Sequence, residues 1–139
     1  NPDLVRFGDW MRPSGYKEME KLAKEDITAV FCLNDVMAAG AYDYLYEHGI
    51  KVGQDLSLAG YDNKEISDYL RPRLTTNEIQ LKTIGKTSAN ILLEMLEGDR
   101  VKNRNQGILK IPCKLVVRES VMKLDEDAFL PGTESSPAV

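Results

Sequence analysis

The stretch TAVFCLNDVMAAGAYDYLYEHGIKVGQDLSLAG, residues 28–60, decides the fold. Its first six residues, TAVFCL, form a near-continuous apolar run, the mark of a strand buried on both faces. Asn34 follows, a residue type that caps helices by accepting a hydrogen bond from a backbone N–H of the first turn. A helix is expected from there to about His48, with Gly49 as its stop. LSLAG, residues 56–60, then reads as another strand. Strand, helix and strand joined by short loops specify a parallel sheet with a right-handed crossover. Upstream, LVRFG (residues 4–8) reads as a strand. Ser14 reads as the cap of a helix over 15–24, with Gly15, Met19, Leu22 and Ala23 on one face. Downstream, a short helix near 64–70 ends before Pro72. The fold class is α/β, a parallel sheet flanked by helices. Three strands are too few to close such a sheet comfortably, so neighbouring strands are expected from chain outside this sequence.

The second half has a different texture. Residues 80–97 place Ile84, Ile91, Leu92, Met95 and Leu96 on one helical stripe, with Gly98 as the stop. ILKIPCKLVV, residues 108–117, reads as extended, and Pro112 requires a bend, a bulge or an edge position there. Beyond Asp125 the chain turns acidic and ends in PGTESSPAV, the composition of a flexible tail.

Composition removes several classes of function. With 139 residues the chain is one domain at most, and 42% hydrophobic with 29% charged residues is ordinary for a soluble globular chain. Its 22 acidic against 18 basic side chains give a net charge of −4, which argues against a nucleic-acid surface on this segment. No apolar run approaches the roughly 20 residues that span a bilayer. The start lacks both an initiator Met and the pattern of a signal peptide, so the chain reads as a piece of something longer. Cys32 and Cys113 each lie inside an apolar run and read as buried free thiols. The single histidine, His48, cannot make a multi-histidine metal site, and it suits the C-terminal end of a helix. Glycine-rich phosphate loops and nucleophile elbows are missing. No catalytic residue, metal site or cofactor is expected.

In open α/β sheets, ligands bind beyond the carboxyl ends of the strands. The first predicted strand runs out into Asp9-Trp10, the second into Asn34-Asp35 and the third into Tyr61-Asp62-Asn63. The one tryptophan and a set of polar groups therefore converge on one edge. Such a set suits a polyhydroxylated ligand. A carboxylate accepts strong hydrogen bonds, an Asn both donates and accepts, and an indole face packs on the C–H face of a sugar. Plainer roles stand beside these: Trp10 as a core or lid aromatic, Asn34 as a cap alone, Asp62 as a turn residue. On the helix after Asn34, residues Met37, Ala41, Tyr44 and Leu45 can cover the sheet. Ala39, Tyr42 and Tyr46 form a second face, either a subunit contact or one that is solvated or covered within the chain.

The motifs ND-x-MA-x-GA (residues 34–41), G-[IL]-x-V-x-x-D-[IL]-S-[LIV]-x-GYDN (49–63) and P-x-LTT (72–76) follow one another in one order. With GDW-x-x-x-SG at 8–15, Gly85, and KLVVRES at 114–120, the sequence resembles the C-terminal part of the lactose/galactose-repressor family of bacterial transcription regulators. The resemblance runs roughly from residue 5 to residue 122. It implies a periplasmic-binding-protein-like effector domain of two α/β lobes with a ligand cleft between them. Residues 1–78 and 112–124 would build the C-terminal lobe. Residues 79–111 would belong to the N-terminal lobe, with crossings near 77–80 and 110–113, and 125–139 would be the tail.

The resemblance also implies roles for single residues. Trp10, Asn34 and Asp62 would bind the effector, and Gln80 would do so near a family glutamine whose own place is taken by Ile79. Ala39, Tyr42 and Leu70 would lie in a dimer contact. The implied function is effector binding, of a sugar by the chemistry of the strand-end residues, and dimerisation for a cytoplasmic DNA-binding repressor. DNA would be met only through a helix-turn-helix headpiece outside this chain. The alternative is an extracellular sugar-binding protein of a transport system, which shares the fold. An enzyme would need an acid/base pair, for which Asp35 with Asp62 is the candidate.

Overall fold

The computed structural model describes residues 1–96 and 108–123. After a 3-10 turn at Pro2–Leu4 come α1 (Arg12–Leu22), β1 (Ala29–Phe31), α2 (Asp35–Glu47), β2 (Ser57–Asp62), α3 (Ile66–Tyr69), β3 (Thr75–Glu78), α4 (Leu81–Leu96) and β4 (Lys114–Val116). The four strands form one sheet in the order β1-β2-β3-β4. β1, β2 and β3 are parallel, whereas β4 pairs antiparallel with β3, so the expected parallel sheet carries one antiparallel edge.

The decisive stretch folds as its sequence reads. Asn34 Oδ1 accepts from Met37 N at 2.7 Å, capping α2. Gly49, at φ 71°, follows the cap residue His48 and ends the helix. His48 Nδ1 lies 2.8 Å from the Tyr44 carbonyl oxygen, and its ring stacks on Tyr44. Along β2, Leu58 and Gly60 are buried while Ser57, Ala59 and Tyr61 are half-buried, the alternation of a strand with one covered face. That face meets α2, whose Ala38, Ala41 and Leu45 join Leu58, Leu56, Val52 and Leu74 in the core. α1 lies along α2 and contributes Met19. The two helices touch through glycine: a Cβ on Gly15 would strike the backbone of Met37, and one on Gly40 the backbone of Arg12. Arg12 then forks onto Asp43 with two hydrogen bonds of 2.6 Å.

Several expectations are corrected. Residues 4–8 are not a strand: residues 5–9 stand outside the sheet, with Val5 and Phe7 exposed. A largely apolar cavity of about 420 Å³, lined by this segment and by residues 29–33, lies between it and β1. A strand needs a partner within hydrogen-bond reach, and here none adjoins it. β1 consequently sits at the sheet edge with Ala29 and Phe31 exposed, rather than buried on both faces. Ser14 does not cap α1. The cap position is Met11, and the Ser14 hydroxyl instead donates to Met11 O at 2.8 Å and accepts from Asp9 N at 3.1 Å.

The second face of α2 is not solvated at Ala39 and Tyr42, which are buried within the chain; Tyr46 alone is exposed. Cys32 is half-buried, but Cys113 is exposed. Pro112 lies just outside β4, as an extended segment with a proline requires. β3, sequence TTNE, has no apolar alternation and carries no strand signal in the sequence. The stop expected at Gly98 and the expected tail at 125–139 lie outside the described residues.

Candidate functional site

The polar rim forms at the carboxyl ends of the strands. Trp10 and Asn34 meet directly: Asn34 Nδ2 donates to the Trp10 carbonyl oxygen at 3.0 Å. Asn34 is buried and also caps α2, leaving one N–H and acceptor capacity for a further partner. Trp10 is 60% exposed. The turn before it is tied by Asp9 Oδ1, which accepts from Met11 N at 3.0 Å.

Asp62 ends β2 in register with Glu78 of β3. Its carboxylate pairs with Lys64 Nζ at 3.3 Å. Trp10, Asp62 and Asn63 adopt φ values of 70°, 110° and 53°. Non-glycine residues enter this left-handed region uncommonly, and Asn and Asp tolerate it best. All three of these backbone outliers sit on the rim, where surrounding structure must hold them.

One hold on the 62–64 turn comes from Asp35. This carboxylate is fully buried, with Oδ1 accepting from Thr76 Oγ1 at 2.6 Å and Oδ2 from Lys64 N at 2.7 Å. Burial pushes its pKa above the usual carboxylate range, against the lowering effect of those two hydrogen bonds. Gly60 makes the arrangement spatially feasible, because a Cβ there would collide with Asp35 Oδ1. Asp35 thus fixes the turn through Lys64 N and ties it to β3 through Thr76.

Gln80 sits apart from these groups by its contacts. Its amide Nε2 donates to Pro112 O at 3.2 Å, and its Oε1 accepts from Thr83 Oγ1 at 3.2 Å. It therefore fastens the chain leaving β3 to the chain entering β4. Leu70 is half-buried after α3, while Tyr42 donates its hydroxyl to Pro72 O at 2.9 Å. Two residues of the rim escaped the sequence reading. Lys64 carried no signal beyond being a turn cation, and Arg118, inside KLVVRES, reaches the rim only through tertiary structure. Tyr61 OH lies 3.0 Å from Cys113 Sγ, a contact that raises the phenol pKa.

Among the described residues no helix is long and apolar enough to cross a membrane, and no group of three or more His, Cys, Asp or Glu could hold a metal ion.

An open, mostly parallel sheet with an exposed indole and polar turns beyond its strand ends is the arrangement in which α/β folds place ligand sites. The family description of the periplasmic binding protein-like domain matches residues 4–121, and the chain belongs to that family, in the form found in lactose/galactose-type repressors. The HTH-type transcriptional repressor PurR of Aliivibrio salmonicida is 38% identical over 126 residues, covering 89% of this chain and 37% of the relative. The lac repressor dimer bound to operator and the anti-inducer ONPF superposes with a TM-score of 0.73 at 36% identity, covering 84% of this chain and 40% of that one. A LacI family transcriptional regulator from Enterococcus faecium with bound ribose gives a TM-score of 0.70 at 31% identity, over 83% and 42% of the two chains. The chain thus spans little more than a third of the length of the curated relatives it matches.

Proposed function

We propose that this chain is the effector-binding part of a sugar-responsive transcription regulator. The observation that carries the reading is the concentration of backbone strain on the polar rim, at Trp10, Asp62 and Asn63. Strain of this kind persists where a fold over-determines it, and it gathers at ligand clamps. Trp10 offers an apolar platform, Asp62 a charged acceptor, and Asn34 a remaining donor, the complement of a sugar with one C–H face and a hydroxylated edge. An indole platform with a carboxylate favours a sugar over a purine base. The bound ribose of the Enterococcus faecium relative supports the same class.

Binding rather than turnover fits the commitment of Asp35 to Lys64 N and Thr76 Oγ1, and neither a cofactor nor a metal enters this reading. The runner-up, an extracellular sugar-binding protein of a transport system, shares the fold; the repressor relatives favour the regulator. Such a regulator works in the cytoplasm and meets DNA through a headpiece outside this chain.

Residues 1–78 and 112–124 act as one lobe, and 79–111 belong to the other. This division is supported by α4, which buries none of its residues here despite its apolar stripe. Gln80 contributes to the ligand from the connection between lobes. Ligand that favours one relative arrangement of the lobes shifts that equilibrium and so the spacing of paired headpieces. Pairing of two copies uses the surface around Leu70; Ala39 and Tyr42, being buried, support that surface from beneath.

Calorimetric titration of the wild type and Asp62→Ala with ribose, a disaccharide and a purine base tests the reading. A sugar should bind the wild type and bind Asp62→Ala at least about tenfold more weakly, the effect of losing charge-assisted hydrogen bonds. Equal sugar affinity in both proteins would refute the role of Asp62, and preference for the base would replace the sugar assignment.

A further inference from the structure

The 62–64 turn is held from a direction that its own strand does not supply. Arg118, at 9% side-chain exposure, follows β4 and reaches beneath the turn. Its Nη2 donates to Asn63 Oδ1 at 2.9 Å and pairs with Asp68 Oδ1 at 2.8 Å. Its Nη1 donates to Leu74 O at 2.7 Å and to Ser67 Oγ at 3.3 Å. One planar guanidinium thereby joins the turn after β2, the helix α3 and the entry to β3. A fork with fixed geometry can bridge such partners at once, which a single ammonium cannot.

Asn63 is the member of this set that matters for the rim. Its backbone stands at φ 53°, its N–H donates to Thr76 Oγ1 at 3.3 Å, and its side-chain oxygen is the acceptor for Arg118. The preceding residue is Asp62, at φ 110°. Asp35 restrains the far side of the turn at Lys64 N. Arg118 and Asp35 thus grip consecutive residues from opposite ends of the folded chain.

We propose that Arg118 is a positioning residue of the effector site: acting through Asn63, it fixes the left-handed turn that presents Asp62, and it couples that turn to the strand β4. This inference rests on the effector reading of Asp62. It also extends that reading, because β4 is the strand reached from residues 108–113, which adjoin the connection fastened by Gln80. A change in the path of that connection reaches Asp62 through Arg118.

The test uses three variants of the 139-residue chain: Asn63→Gly, Arg118→Lys and the double variant. Asn63→Gly leaves Arg118 bonded to Leu74, Ser67 and Asp68, and glycine accepts the positive φ, so the fold is retained. Two readouts are taken, amide exchange protection at Asn63 and Lys64, and affinity for ribose and a disaccharide. Each single variant should lower protection at these two amides and weaken sugar binding by about tenfold, with thermal stability of Asn63→Gly near that of wild type. The double variant should be no worse than either single one, since both break the same link. Unchanged protection in Asn63→Gly, or additive losses in the double variant, overturns the proposal. If neither sugar binds the wild type, the effector reading fails, while the exchange data still decide whether Arg118 positions the turn.

Discussion

Removing one hydroxyl, in Ser120→Ala, should loosen the centre of the sheet. Ser120 is fully buried, and its Oγ donates to Leu58 O at 2.6 Å while accepting from Thr75 N at 2.8 Å. It bridges β2 and β3 just before their own ladder begins at Ala59 and Thr75. Alanine leaves Leu58 O and Thr75 N without these bonds in a site that water does not reach. A buried orphan group costs about 1–3 kcal/mol, and an orphan N–H is tolerated less well than a carbonyl, which has a second lone pair. The sum is about 3 kcal/mol, a large share of the 5–15 kcal/mol typical of a domain, and roughly 10 °C in melting temperature for a chain of this size. Urea unfolding followed by Trp10 fluorescence and circular dichroism measures it. The midpoint should fall with an unchanged slope, because the surface exposed on unfolding stays the same. Arg73→Ala is the control. It removes the exposed pair that Arg73 makes with Glu119, the neighbour of Ser120, and should be indistinguishable from wild type. A loss below about 0.5 kcal/mol in Ser120→Ala would refute the accounting of buried hydrogen bonds.

The helix contact should be equally intolerant of one added carbon. Gly40→Ala forces a Cβ onto the Arg12 carbonyl, and overpacking of this kind costs about 1–3 kcal/mol by the same unfolding assay. The two thiols should differ sharply. Burial pushes Cys32 up to about 12, whereas Cys113 is exposed, so a disulfide reagent at pH 8 should titrate one fast thiol per chain. Asp35 should give a pH dependence opposite to that of a salt-bridged carboxylate. Burial holds its folded pKa above that of a free carboxylate, so between the unfolded and folded pKa values the folded state binds more protons than the unfolded one. Stability through Asp35 therefore falls as pH rises across that window, and it is recovered on acidification. In Asp35→Asn this component disappears, which urea midpoints between pH 4 and 7 can register; an identical pH slope in both proteins would contradict it.

Legibility in the sequence tracked the range of the interactions. α2 could be read at both ends because its signals are local: Asn34 caps Met37 three residues away, and Gly49 follows the last turn. β2 was legible from its apolar run, and α4 from its stripe. Residues 4–8 misled because an apolar pattern states only that a segment can pair, while pairing needs a neighbour within reach. β3 stayed hidden for the converse reason. Its threonines are buried through hydroxyl bonds, Thr76 to Asp35 and Thr75 to Arg118, across 41 and 43 residues of chain. Hydrophobic alternation cannot report a strand whose burial is satisfied by such partners.

The sequence by itself determined the order of elements around Asn34, the α/β class, and the arrival of Asn34 and Asp62 at strand ends. These follow from propensity, capping and the geometry of parallel crossovers, which act over a few residues or along one strand. Only the tertiary structure decided that β1 is an edge, that Ala39 and Tyr42 are covered, and that Asp35 holds the turn at Lys64. It alone brought Arg118 and Ser120 back to β2 and β3. Those outcomes depend on which distant groups satisfy a buried donor or acceptor, and that choice exists only once the chain has closed on itself.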